Sequence, residues 1–147
     1  MHPSDAIIGS QSSLLKGKKI VLGITGSIAA VECFELARDL MRHGATVIPV
    51  LTPEAQKLVT PYAMSFATGQ EAITELDGRV QHVSLMGDVK ERADLLLIAP
   101  STANTISKIA CGIDDTTVTT MATVALGSGV PVLIAPAMHG AMFNNPM

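Results

Sequence analysis

The sequence predicts a single α/β domain built on a doubly wound, all-parallel sheet of the Rossmann-like type, and three observations carry that expectation. Short β-branched runs, apolar on both faces, recur along the chain, as strands buried between two layers of helix require. Between them the apolar period changes from that of a strand to that of a helix, with polar residues on the opposite face. Each change of period falls at Gly, Pro, Ser or Thr, so strands and helices alternate rather than cluster. With 147 residues, 48% of them apolar, the chain is about one domain's worth and can fill a core.

Residues 1–18 mix Ser, Gly, Gln and Lys with one apolar pair, Ile7-Ile8, and have no sustained period. They read as a flexible leader, leaving 19–147 as the domain. Residues 20–24 (Ile-Val-Leu-Gly-Ile) form the first buried strand. Ala30, Phe34, Ala37 and Met41 then fall at helical spacing, with Glu32, Glu35, Arg38, Asp39 and Arg42 mostly opposite and Gly44 as the stop. Residues 46–51 are the second strand, ended by Thr52-Pro53, and 54–58 begin a short helix with Pro at its start. Residues 61–68 suit a turn or two of helix, and 80–85 a short strand. The run 93–99 is the clearest central strand, stopping at Pro100, which has no N–H for a ladder. Helices follow at 102–111 and 115–126, divided by Gly112 and restarted by Asp114-Asp115 as a capping pair. Residues 131–135 form the last strand, ending at Pro136. Crossovers between parallel strands are expected to be right-handed.

Composition excludes several classes of function. Ten Lys and Arg against thirteen Asp and Glu give a net charge of −3, without the basic stripe that a nucleic-acid partner requires. No apolar run approaches the length of a membrane span, and the N-terminus lacks a signal pattern. Two cysteines, Cys33 and Cys111, lie in helical segments and read as packing residues in a reducing, cytoplasmic protein. Dispersed histidines and unpaired cysteines offer no metal cluster.

In an open parallel sheet the ligand crevice lies beyond the carboxyl ends of the strands, where strand order reverses. Three turns rich in small and hydroxylated residues map to that edge: 23–30, Thr52 and 100–105. Gly26 permits a sharp turn, and amides near Ser27 and Ile28 face outward at a helix start, where anions are favoured. The spacing is Gly-x-x-Gly rather than Gly-x-Gly-x-x-Gly, and Leu51-Thr52 stands where a dinucleotide site places an acidic residue, so NAD is disfavoured. A P-loop is absent. From the turns alone, a phosphate held by Ser27 and Thr52 and a purely structural closure of helix on sheet remain equal alternatives. His82 is the best general acid or base, because imidazole titrates near neutrality, although one histidine equally suits a half-buried structural place. His139 points to the same ligand edge. His43, at a helix end, and His2 carry no functional reading.

Together, residues 24–30 (Ile-Thr-Gly-Ser-Ile-Ala-Ala), His82, residues 99–105 (Ala-Pro-Ser-Thr-Ala-Asn-Thr) and residues 136–143 (Pro-Ala-Met-His-Gly-Ala-Met-Phe) resemble the flavin-containing cysteine decarboxylases, in order and across nearly all of 19–147. The resemblance implies a flavoprotein-type fold, FMN as cofactor, and homotrimers or multiples of trimers with the site near subunit contacts. By position, it implies that Gly26, Ser27 and Ala29 form the first FMN turn, that Thr52 contacts the phosphate, and that Ser101, Thr102, Ala103, Asn104 and Ala137 contact the flavin ring. It makes His82 the catalytic residue and His139 the substrate-binding one. The implied reaction is FMN-dependent decarboxylation of a small cysteinyl substrate, 4'-phosphopantothenoylcysteine, to 4'-phosphopantetheine in coenzyme A biosynthesis: the thiol is oxidised to a thioaldehyde, carbon dioxide leaves, and the flavin returns hydride. An ordinary amino-acid carboxylate has no electron sink, and a thiocarbonyl provides one.

The motif departs from the family at two residues: His139 replaces the usual Asn, and Phe143 the usual Trp. The family's substrate-covering flap lies downstream of this motif, so a chain stopping at Met147 is expected either to be a fragment or to work without it. A flavin prenyltransferase and a non-catalytic FMN-binding regulator are the two alternatives; the prenyltransferases lack an equivalent of His82.

Overall fold

The computed structural model describes all 147 residues. Four parallel strands, β1 (Lys19–Ile24), β2 (Thr46–Leu51), β3 (Leu95–Ser101) and β4 (Val132–Pro136), form one sheet in the order β2-β1-β3-β4. Chain order reverses between β1 and β3, so their carboxyl ends frame the crevice that the topology dictates. The helices are α1 (Cys33–Arg42), α2 (Pro61–Thr68), α3 (Gln81–Met86), α4 (Ala103–Cys111), α5 (Thr117–Ser128) and the single turn α6 (Gly140–Phe143).

Side chains alternate across the sheet. Ile20, Leu22 and Ile24 of β1 join Ala37 and Met41 of α1 in one buried cluster, whereas Val21 joins Leu96, Ile98, Met121, Ala122 and Ala125 in the other. Burying each Leu, Ile or Met in this way contributes about 1.5–3 kcal/mol of transfer free energy. At Gly23 an added Cβ would stand 3.2 Å from a Val118 methyl, so the missing side chain is what lets α5 lie close on β1. Pro49 sits inside β2 without disrupting it. Its residue faces away from β1, where its carbonyl accepts from the Ile73 N–H at 2.9 Å, and the Leu51 N–H donates to the Ile73 carbonyl at 2.9 Å.

Four local expectations are corrected. Residues 1–18 are not a free leader: a 3₁₀ turn at Pro3–Ile7 leads into a segment that docks on the end of α1. Its Gly9, Gln11 and Leu15 amides donate to the carbonyls of Met41, Arg42 and His43 at 2.9, 2.9 and 2.8 Å, satisfying acceptors that a helix end leaves unpaired. Ile7 and Leu15 pack on the first core cluster, and Ser12 Oγ bonds His43 Nδ1 at 2.7 Å. Gly44, at φ +107°, is needed here, since a Cβ would lie 2.8 Å from the Lys16 nitrogen.

Residues 80–85 belong to a helix rather than a strand. Gln81 and Met86 are buried while Val80 and Val83 are exposed, so burial there follows a helical turn and not an alternation. β3 continues through the cis Ala99–Pro100 bond to Ser101 instead of stopping before Pro100. Finally, α5 is capped by Thr116, whose hydroxyl accepts from the Thr119 N–H at 3.1 Å, rather than by Asp114-Asp115. Asp115 instead holds Lys108, and Asp114 accepts from the Thr120 hydroxyl.

Candidate functional site

The turn after β1 and the turn after β3 are tied to each other by one side chain. Thr25, buried, donates its hydroxyl to the Pro100 carbonyl at 2.7 Å and accepts from the Thr102 N–H at 3.0 Å. Both of its polar functions are spent, so Thr25 sets the spacing of the crevice walls and leaves ligand contact to others. Neighbouring hydroxyls are differently disposed. Thr52 Oγ1 accepts from the Ala55 N–H at 3.2 Å and keeps its own proton to give. Thr102 caps α4, accepting from the Thr105 N–H at 3.2 Å and donating to Thr105 Oγ1 at 3.0 Å, which leaves the Thr105 proton available. Ser27 accepts from the Ala29 N–H at 3.3 Å and starts the 3₁₀ turn Ile28–Glu32.

The three threonines at 52, 102 and 105, with Thr25, open on a cleft of about 380 Å³ lined also by Gly26, Pro53, Glu54, Asn104, Lys108 and Thr116. None of the lining residues is a large apolar one, and donors predominate. Gly26 has no alternative: a Cβ there would meet Glu54 Cβ at 2.6 Å. Glu54, the one carboxylate on the wall, is already paired with Lys57 at 2.9 Å. Such a donor set suits an anion of phosphate type at the mouth of a sheet.

Beside the cleft lies an apolar recess of about 240 Å³, bounded by Ala29, Cys33, Leu36, Ala99, Pro100, Ala135 and Ala137 among others. Its small side chains leave room for a flat group. Cys33 Sγ donates to the Ala99 carbonyl at 3.2 Å, and burial, with a smaller contribution from the Glu32 charge, pushes the thiol up to about 12. It is a structural donor and not a nucleophile. A third recess, about 430 Å³, runs between α4 and the C-terminal residues, with Ala103, Ile106, Met138, Met142 and Phe143 on its walls.

The structure therefore divides the expected site residues. Gly26, Thr52, Thr102 and Asn104 meet in the cleft, Ala29 and Ala137 in the adjoining recess, and Ala103 in the third. Ser27 stands half-buried beside Gly26 and lines none of them. Ser101 is fully buried with its hydroxyl unpartnered. His82 lies on α3, which packs on α5, and its Nδ1 is buried without a partner. His139 is exposed at the start of α6 and caps nothing. Within one chain neither histidine lines the three recesses. Sequence reasoning missed Thr25 as the latch and Lys108 as the cation of the cleft. Lys108 lies three residues after Thr105 on the same helix, a spacing that places both on one face.

Comparison with known proteins adds the following. The sequence model of the Flavoprotein family matches residues 8–147. The chain is 54% identical, over its whole length, to 36% of the coenzyme A biosynthesis bifunctional protein CoaBC of Thermococcus kodakarensis. It is 44% identical over 98% of its length to 34% of the CoaBC protein of Methanocaldococcus jannaschii. It thus spans about a third of these relatives. Among solved structures, the FMN-dependent cysteine decarboxylase SpaF superposes with a TM-score of 0.77 at 33% identity, over 90% of this chain and 75% of that one. A PPC decarboxylase complexed with pantothenoylaminoethenethiol does so with a TM-score of 0.69 at 27% identity, over 88% and 71%.

Proposed function

The chain belongs to the Flavoprotein family, and from that premise we propose that it binds FMN and decarboxylates 4'-phosphopantothenoylcysteine to 4'-phosphopantetheine, the lyase step of coenzyme A biosynthesis. The observation that carries this reading is the donor-lined cleft at the reversal of strand order, with a small-residue recess beside it. Such a pair suits a molecule with a phosphate tail and a flat ring. The extent and identity of the match to the CoaBC proteins support the choice of substrate.

Gly26 and Ser27, through the turn's backbone, and the Thr52 hydroxyl would hold the phosphate. Ala29, Ser101, Thr102, Ala103, Asn104 and Ala137 would frame the ring. FMN, when bound, would supply a reversible two-electron exchange at the thiol-bearing carbon, the electron sink that a departing amino-acid carboxylate lacks. The Thr25 latch keeps the cleft walls at fixed separation through both half-reactions. His82 accepts the proton that the cysteinyl thiol gives up and returns it as the product forms. His139 holds the substrate carboxylate with a ring N–H where the family uses an amide.

In this reading the protein is a cytoplasmic homotrimer, or a multiple of one, and His82 reaches the substrate across a subunit contact. The exposed apolar side chains Val80 and Val83 beside His82, and Ile28 beside Ser27, support a contact at those places. The test is to reconstitute the protein with FMN, follow carbon dioxide release from 4'-phosphopantothenoylcysteine with and without His82→Asn, and measure the mass in solution. Turnover by the wild type, lost in H82N with the flavin still bound, is the expected result. A protein that fails to retain yellow flavin overturns the reading. Flavin retention without carbon dioxide favours a non-catalytic regulator, and a prenylated flavin product favours the prenyltransferase.

A further inference from the structure

We propose that Lys108, clamped by Asp115, is the residue by which the cleft selects a phosphorylated flavin over an unphosphorylated one, an inference that rests on the flavin reading above. Threonine hydroxyls and backbone amides supply direction and hydrogen bonds to an anion, but they are neutral. Only two lining side chains carry charge. The Glu54 carboxylate would repel a phosphate, and it is occupied by Lys57 on the solvent side. Lys108 is the single cation on the cleft wall.

Its placement is built rather than incidental. Asp115 takes two of the three ammonium hydrogens through both carboxylate oxygens, at 2.9 and 2.8 Å, leaving one N–H unspent. Asp115 is itself fixed: its N–H donates to Thr119 Oγ1 at 3.1 Å, the same hydroxyl that receives the Thr116 N–H at 2.8 Å. The cap of α5 therefore sets the carboxylate, and the carboxylate holds the lysine. The Lys108 side chain is only 22% exposed, against 53% for Asp115, so the ammonium is kept on the protein instead of ranging through solvent. A cation already immobilised loses little freedom on meeting its anion, which is how preorganisation raises affinity. Asp115, which in the sequence reads as half of a helix cap, thereby serves the cleft, while Asp114 stays with Thr120.

The experiment compares dissociation constants for FMN and for riboflavin, by quenching of flavin fluorescence, in the wild type, Lys108→Met, Lys108→Arg and the double variant Lys108→Met with Asp115→Asn. A charge-assisted hydrogen bond shared with a partly exposed carboxylate supports an expected loss of about tenfold for FMN in K108M. Riboflavin binding stays within about twofold, K108R retains most of the FMN affinity, and the FMN constant depends less steeply on salt in K108M. The double variant leaves no unpaired carboxylate, so an equal loss there separates the missing cation from any folding defect. Equal weakening of both flavins, or an unchanged FMN constant, would each overturn the assignment. A wild type that binds neither flavin instead overturns the flavin reading itself.

Discussion

Substituting Gly26 by alanine tests the cleft more directly than any other single change. The backbone at Gly26 is not in the left-handed region, so alanine meets no conformational penalty there, and the whole cost is steric. The added Cβ would lie 2.6 Å from Glu54 Cβ. Favourable carbon–carbon contact begins at about 3.5 Å, so one of the two turns must retreat by about an ångström. Overpacking of this size costs about 1–3 kcal/mol, and the retreat moves the wall on which the phosphate would rest. The expected outcome for Gly26→Ala is an FMN dissociation constant raised at least about tenfold, with a melting temperature lowered by a few degrees, about 2–4 °C per kcal/mol at this chain length. The clash names its own rescue. Its nearest atom is Glu54 Cβ, whereas the next two, the Glu54 carbonyl carbon and Cα, stand at 3.4 and 3.6 Å and are tolerable. Glu54→Gly should therefore restore binding in the double variant, and Glu54→Ala, which keeps the Cβ, should not. Flavin fluorescence titration and thermal melting of the four proteins decide it. Wild-type affinity in G26A, or equal rescue by alanine and glycine at 54, refutes the reasoning.

Three further outcomes are expected. Thr25→Val removes a hydroxyl that serves two backbone groups in a buried place, so it should cost about 2–3 kcal/mol in urea unfolding and weaken FMN binding by loosening the walls. Deleting residues 1–12 strips amides from the carbonyls at the end of α1 and the Ile7 contact with the core, and should lower the melting temperature of an otherwise folded protein. In native protein a thiol reagent at pH 8 should modify exposed Cys111 and spare buried Cys33. Because the folded Cys33 thiol titrates near 12, above its ordinary value of 9.0, its contribution to stability is complete below pH 9 and declines as pH rises towards 12. A Cys33→Ala variant should show a shallower alkaline loss in urea unfolding.

The sheet was legible because its strands are buried on both faces: Ile20 to Ile24 and Leu95 to Ile98 have no reason to be so uniformly apolar anywhere else. α1 was legible from the spacing of Ala37 and Met41. What escaped depends on partners distant in sequence. Met86 is buried against Met121, Ala122 and Ala125 of α5, at least 35 residues on, so a six-residue helix there has too short a period to declare itself. The docking of residues 1–18 is made largely of backbone bonds to α1, to which composition is blind. Glycines and hydroxyls at the strand ends marked the cleft, yet Thr25 differs from Thr52 only in how its hydroxyl is spent, and the receiving carbonyl is 75 residues away. Lys108 falls outside the turn motif, and only the docking of α4 beside α5 turns it toward the cleft.

The seating of the N-terminus bears on how the protein is to be produced. Met1 is fully exposed, while His2 already stacks edge-on against Phe66 and bonds Ser4. An affinity tag appended ahead of Met1 extends into solvent and leaves the plug on α1 in place. An expression vector that replaces the opening dozen residues with its own would yield protein whose Arg42 carbonyl, at the end of the first helix, has lost both of its donors, and a low yield would be mistaken for an unstable fold.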